Sequence, residues 1–306
     1  MKTKTWIALL AIYIVWGSTY LGIRIAVETI PPFLMAATRF LLAGSLLLLW
    51  RRMAGDPAPT PRQWRNAAIV GTFLLVGGNG VVSWAEKNVE SGVTALLIGS
   101  TPMWLVLIDA LRRGGSRPGP RAVLGLLVGF AGIAILLAPT RTGAFSHIYL
   151  PGALAILCAA FSWAIGSIYS KSADMPESVL MGSAVEMLAA CIGLFIVSGV
   201  SGEWSGFNPA TVSTRSMLGV VYLALFGSLV GFVAYAWLLR NTPVSIASTY
   251  AYVNPLVAVL LGAWIGQEGL SARVLVAAVV IVGAVALINT SPARKSVESV
   301  PSVASD

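Results

Sequence analysis

Ten apolar stretches alternate with short polar knots along the chain, at residues 5–24, 32–50, 66–85, 90–111, 121–138, 149–170, 178–199, 216–238, 245–266 and 272–289. None shows the strict apolar–polar alternation of a barrel strand. At about 1.5 Å per residue, each is long enough as a helix to cross roughly 30 Å of hydrocarbon. A helix also satisfies its own backbone hydrogen bonds, which an open strand in lipid cannot do. The pattern predicts an all-α polytopic membrane protein of ten transmembrane helices.

Composition agrees: 57% of the residues are hydrophobic and 10% are charged, against about 25% charged in soluble domains. The net charge of +8 would suggest nucleic acid in a soluble chain. Here the basic residues sit between apolar stretches, so they are read as orientation signals, and the expected partner is the lipid bilayer. With ten spans, one set of loops carries fourteen Lys and Arg and the other five, with Arg39 left inside a span. This bias predicts an inner-membrane protein of a bacterium with both termini in the cytoplasm. Lys2 and Lys4 precede an apolar run as in a signal peptide, but that run continues through Trp16, Gly17 and Tyr20 to Gly22 without a small-residue cleavage pattern. It is read as an uncleaved first helix. Cys158 and Cys191 fall inside apolar stretches and read as packing residues, with neither a disulfide nor a metal site expected. The Ser-rich end, 291–306, is expected to be a disordered cytoplasmic tail.

The chain repeats itself. An offset of 153 pairs Gly78 with Gly231, Trp84 with Trp237, Lys87 with Arg240, Asn88 with Asn241, and Pro102 with Pro255. Near the start of each half the offset is 147, pairing Trp16 with Trp163, Arg24 with Lys171, and Ala43 with Ala190; near the end it is 151, pairing Gly132 with Gly283. The expected units are residues 1–145 and 146–290. Five helices is an odd number, so the second unit enters the membrane inverted. This is the arrangement by which secondary transporters exchange inward-open and outward-open states around a central cavity.

Arg39 lies roughly 10 Å below the outer edge of its helix. Intramembrane arginine is costly and marks a cavity or a partner; this one is a candidate site for a substrate carboxylate. Its repeat counterpart, at the offset of 147, is Glu186, the leading candidate for proton coupling. The expected depths leave the two roughly 8 Å apart along the membrane normal, so a direct pair is an open alternative. Trp16 and Trp163 lie deep in their spans and are expected to line the cavity, whereas Trp84 and Trp237 read as interfacial anchors. Pro102 and Pro255 should kink their helices and free a carbonyl one turn earlier. Around them Ser100, Thr101, Tyr250 and Asn254 form candidate polar patches for substrate, with Asn79 a further candidate. Asp109 precedes Arg112 and Arg113 at helical-pair spacing. Glu86 and Lys87, at the end of a span, read as interfacial.

The run Ile14-Val15-Trp16-Gly17-Ser18-Thr19-Tyr20 followed by Arg24, Pro31-Pro32 before the span with Arg39, and the run Ser248-Thr249-Tyr250-Ala251-Tyr252-Val253-Asn254-Pro255 resemble EamA-type permeases of the drug/metabolite transporter superfamily. The resemblance covers both halves. It implies a ten-helix basket around a central cavity and transport of small metabolites, amino acids and their derivatives among them, with toxic cations as another cargo. Four-helix multidrug relatives place a carboxylate in the first helix for proton-coupled export. Here the first span has no acid before Glu28 and the sixth has none, so that mechanism does not carry over. The resemblance also makes the fifth helix, with Gly125, Gly129 and Gly132, a packing helix expected to meet the tenth. The expected function is secondary transport of small metabolites by alternating access, in the direction of export, by a monomer with a dimer as the alternative. A passive channel is the main rival and a multidrug exporter another. An enzyme is not expected: the sole histidine, His147, is placed in a loop, and neither a His-Glu-x-x-His motif nor a Gly-rich phosphate loop is present, so no cofactor is expected.

Overall fold

A computed structural model describes residues 3–112, 118–138 and 149–290. His147, Arg113 and the expected tail at 291–306 lie outside the described residues. The described residues form ten helical units: α1 (Thr3–Ala26), α2 (Pro32–Met53), α3 (Pro61–Ala85), α4 (Ser91–Leu111), α5 (Pro120–Leu137), α6 (Leu150–Ser170), α7 (Val179–Val200), α8 (Thr214–Asn241), α9 (Tyr250–Trp264) and α10 (Ala272–Asn289). The first eight are long and apolar enough to cross a membrane, while α9 and α10 are shorter apolar helices. The chain is a polytopic membrane protein, and Leu10, Leu46, Ile192 and Leu260 are among the large apolar side chains exposed on its flanks.

Helix ends depart from the apolar pattern where local chemistry overrides it. α3 begins at Pro61 rather than 66 because Thr60 and Gln63 cap each other reciprocally and Pro61 presets the first turn. α9 begins later than expected. A single turn, Val244–Ala247, precedes it, and the chain breaks at Ser248–Thr249. α4 breaks too, at Gly99–Ser100. Pro102 removes the donor that would have met the Ile98 carbonyl, and the Thr101 hydroxyl donates to that carbonyl instead at 2.7 Å.

As expected, α5 and α10 pack against each other. A side chain at Gly125 would run into Ile288 and the Ala284 carbonyl, so the two backbones approach closely. The second helices of the halves, α2 and α7, form another tight pair, with Gly44 against Met187 and Leu188. Each end of this pair is tied by an acid from the other half. Glu203, after α7, accepts from the backbone N–H of Phe33 at 3.1 Å and Leu34 at 2.9 Å, at the start of α2. Asp56, after α2, bonds to Ser178, the N-cap of α7, and takes two bonds from Arg51, at 2.9 and 2.6 Å. These partners hold its carboxyl below the usual carboxylate range. Asp56 and Glu203 are 147 residues apart, the offset that relates Trp16 to Trp163. A carboxylate at a helix N-terminus meets both free N–H donors and the positive end of the helix dipole.

Candidate substrate site

The third helix of each half carries a π-helical stretch, Thr72–Gly80 in α3 and Leu223–Phe232 in α8. Such a stretch is wider than an α-helix and is found frequently at functional sites. Here it receives the first helix of the opposite half. The Trp16 indole of α1 donates to the Gly227 carbonyl of α8 at 3.1 Å, and the Ser162 hydroxyl of α6 donates to the Phe73 carbonyl of α3 at 2.7 Å. The two tryptophans lie against the paired glycines in the same crossed sense. A Cβ on Gly231 would come within 2.4 Å of Trp16, and one on Gly78 within 2.8 Å of Trp163. Glycine is required at both positions by this close approach.

Trp16 and Trp163 meet edge to face at 5.5 Å. Tyr235 of α8 lies 5.0 Å from Trp16 and 5.5 Å from Trp163, and Tyr250 of α9 lies 5.2 Å from Trp16. The Trp163 indole donates to the Tyr235 hydroxyl at 3.1 Å, and that hydroxyl shares a 2.7 Å bond with Ser167. The result is an aromatic layer across the middle of the bundle. On one side is a cavity that Trp16, Trp163 and Tyr250 line together with Tyr20, Arg39, Asn79 and Thr101. On the other is a second cavity, lined by Tyr235, Lys171, Glu177, Glu186 and Arg240. Phe232 borders both.

Arg39 is 3% exposed. Its guanidinium donates to Ser228 of α8 at 2.8 Å and to Asn79 of α3 at 3.2 Å. Both partners are neutral, and among the described residues Arg39 makes no ion pair. The first cavity therefore carries a positive charge held in fixed orientation with no acid directly paired to it. Glu186 faces the second cavity, where its electrostatic partner is Arg240. Arg240 also donates to the Pro176 and Glu177 carbonyls, at 2.9 and 3.0 Å. Arg39 and Glu186 do not pair; the symmetry counterparts face different compartments.

Of the residues singled out from sequence, Trp16, Arg39, Asn79, Trp163 and Tyr250 border the first cavity. Ser100 and Asn254 are fully buried, and neither lines it. The Asn254 amide nitrogen, oriented to satisfy its surroundings, faces the carbonyls of Tyr250, Ile12 and Tyr13 at 3.2–3.3 Å and so ties α9 to α1. Pro255 stands inside α9, and Pro102 in the first turn of the second half of α4. Glu86 differs from its interfacial reading. Lys87 is exposed, but Glu86 is completely buried, and among the described residues neither of its carboxyl oxygens has a hydrogen-bond partner. Tyr235 escaped notice in the sequence. It stands four residues after Gly231, on the same face of α8, and that spacing was the available signal.

A profile of the EamA-like transporter family matches residues 3–138 and 150–290. The chain is 42% identical over 92% of its length, and 89% of the relative's, to a protein of Escherichia coli K12 described as "Uncharacterized inner membrane transporter YedA". It is 28% identical, over 85% of its length and 84% of the relative's, to Protein PagO of Salmonella typhimurium. A solved structure titled "Crystal structure of protein" shares the fold with a TM-score of 0.66 at 21% identity, over 94% of this chain and 98% of that one. Both family matches fall on five-helix units whose first helices cross into one another around the charged cavity, and the chain belongs to the EamA-like transporter family as a membrane transporter.

Proposed function

We propose that the protein is a secondary carrier that exports small metabolites bearing a carboxylate, amino acids or related compounds, across a bacterial inner membrane by alternating access. The observation that supports this most is the pair of cavities separated by the aromatic layer, with Arg39 beside the layer in one of them. Arg39 would take the substrate carboxylate in a charge-assisted pair, and Trp16, Trp163 and Tyr250 would take an apolar or aromatic side chain. Ser100 and Asn254 act in this reading as supports for the broken helices. Glu186, in the second cavity, is the proposed proton site for coupling. The units are residues 1–145 and 146–290, with both termini in the cytoplasm, as the distribution of Lys and Arg favours.

Two other readings fit less well. A passive channel needs a continuous path, and the aromatic layer interrupts it. A toxic-cation exporter would bring its cargo to the buried Arg39 charge, which repels it. The test is counterflow of labelled L-phenylalanine in proteoliposomes of the full chain. Saturable exchange is expected, reduced at least ~tenfold in Arg39→Ala through loss of carboxylate binding. Conductive flux without saturation would sink the carrier reading. Glu186→Gln should flatten the pH dependence of uptake, and an unchanged profile would remove Glu186 from the coupling role.

A further inference from the structure

Glu86 lies one residue past the end of α3 and caps its last turn in helical geometry. Its side chain is wholly buried, and among the described residues no group donates to either carboxyl oxygen. Asn79, seven residues earlier on the same helix, is bonded to Arg39 at 3.2 Å, and Val82, between them on that face, lines the Arg39 cavity. The Glu86 N–H donates to the Val82 carbonyl at 3.0 Å, so the two stand one α-helical turn apart on the same face. Helical side chains lean toward the N-terminal end, which carries the Glu86 carboxyl back toward Arg39, and the two charges act on each other.

The other groups facing Glu86 are Tyr20 and Arg24 of α1 and Glu268 from the segment between α9 and α10. Arg24 is engaged elsewhere. It donates to the Glu86 backbone carbonyl at 3.3 Å and the Val89 carbonyl at 2.9 Å, and its charge is paired with Glu268 at 3.5 Å. Glu268 in turn accepts from the N–H groups of Ser91 and Gly92, at 2.9 and 3.1 Å. Among the described residues, Arg39 is thus the cation near Glu86 without an acidic hydrogen-bond partner. Burial raises the Glu86 carboxyl well above the usual carboxylate range, Glu268 adds to the rise, and Arg24 and Arg39 oppose it.

We propose that Glu86 is a proton site linked to Arg39, so that a carboxylate ligand and a proton bind the carrier together. The inference rests on the reading of Arg39 as the carboxylate site. An empty cavity leaves Arg39 free to stabilise ionised Glu86. A ligand carboxylate on Arg39 cancels that field, and the Glu86 carboxylate takes one proton from water to become the neutral acid. Linkage is reciprocal: a proton already on Glu86 leaves Arg39 fully available, so carboxylate affinity rises as pH falls. Ligand and proton then cross together, so the proton gradient adds to the ligand's own gradient in setting the direction.

Infrared difference spectroscopy of the full chain in lipid vesicles tests the linkage without any ligand. The protonated-carboxyl band that Glu86→Gln removes identifies the site, and its titration midpoint is compared between variants. Arg39→Gln should move the midpoint to higher pH, and Arg39→Lys should leave it near the wild-type value. A midpoint unmoved in Arg39→Gln, or no band removed by Glu86→Gln, overturns the proposal. The ligand arm uses L-phenylalanine and its amide, which lacks the carboxylate, in weakly buffered micelles with a pH dye. Proton uptake on adding the amino acid, absent with the amide and lost in Glu86→Gln, is expected. Uptake that persists in Glu86→Gln overturns the proposal. A wild-type protein that binds no L-phenylalanine counts against the proposed substrate class, and the spectroscopic comparison alone then decides the role of Glu86.

Discussion

A methyl group added at Gly231 would sit 2.4 Å from the Trp16 indole nitrogen, closer than packed atoms tolerate. Gly231→Ala is therefore expected to cost about 1–3 kcal/mol through overpacking, read as a lowered thermal midpoint in detergent. The same change at exposed Gly206, where nothing lies within 4 Å of an added Cβ, should leave the midpoint in place. Tyr235 is 2% exposed and its hydroxyl holds both Trp163 and Ser167. Tyr235→Phe leaves the Trp163 indole donor without its partner, a loss of about 1–3 kcal/mol, and tryptophan fluorescence should report a looser aromatic layer. The candidate residues divided along a physical line. Trp16, Arg39, Asn79, Trp163 and Tyr250 were legible because a bulky or polar side chain deep in an apolar span needs a reason. Tyr235 and Glu86 were not, since a tyrosine or an acid near a span end reads equally well as an anchor. Only the neighbours supplied by other helices distinguish burial from exposure there.

Helices of this protein are fixed at their ends as much as along their sides. Glu203 holds two backbone donors at the start of α2, and Glu203→Ala should destabilise the fold by about 1–3 kcal/mol, the cost of leaving charge-assisted donors unpaired. Chemical denaturation in mixed micelles measures it, and an unchanged midpoint would show that water replaces the clamp without loss. Asp56 makes the matching tie at the opposite end and carries a depressed carboxyl. A depressed group stabilises the fold above its unfolded value, and that contribution is lost as pH falls through the lower folded value. The difference in thermal midpoint between wild type and Asp56→Asn should accordingly be present at neutral pH and vanish on acidification below the ordinary carboxylate range. Apolar periodicity gave the helices their number and order. It missed the early start of α3 and the late start of α9, because a capping box and a two-residue break are decided by hydrogen bonds to which hydropathy is blind.

At the scale of the molecule, the two halves share a frame but place different charges in it. Arg39 and Glu186 occupy equivalent positions, yet each faces its own cavity. The inverted repeat was visible as matched Trp, Gly and Pro, whereas the partition into two compartments was not. It depends on aromatic rings from α1, α6, α8 and α9 meeting in space. The crossed tryptophans also bear on how the protein is made. Trp16 emerges from the ribosome more than two hundred residues before the glycine it rests against. The first five helices must therefore wait in the bilayer with the wide groove of α3 unfilled and the Trp16 indole still without the Gly227 carbonyl. Neither half can reach its final packing until the other has been inserted.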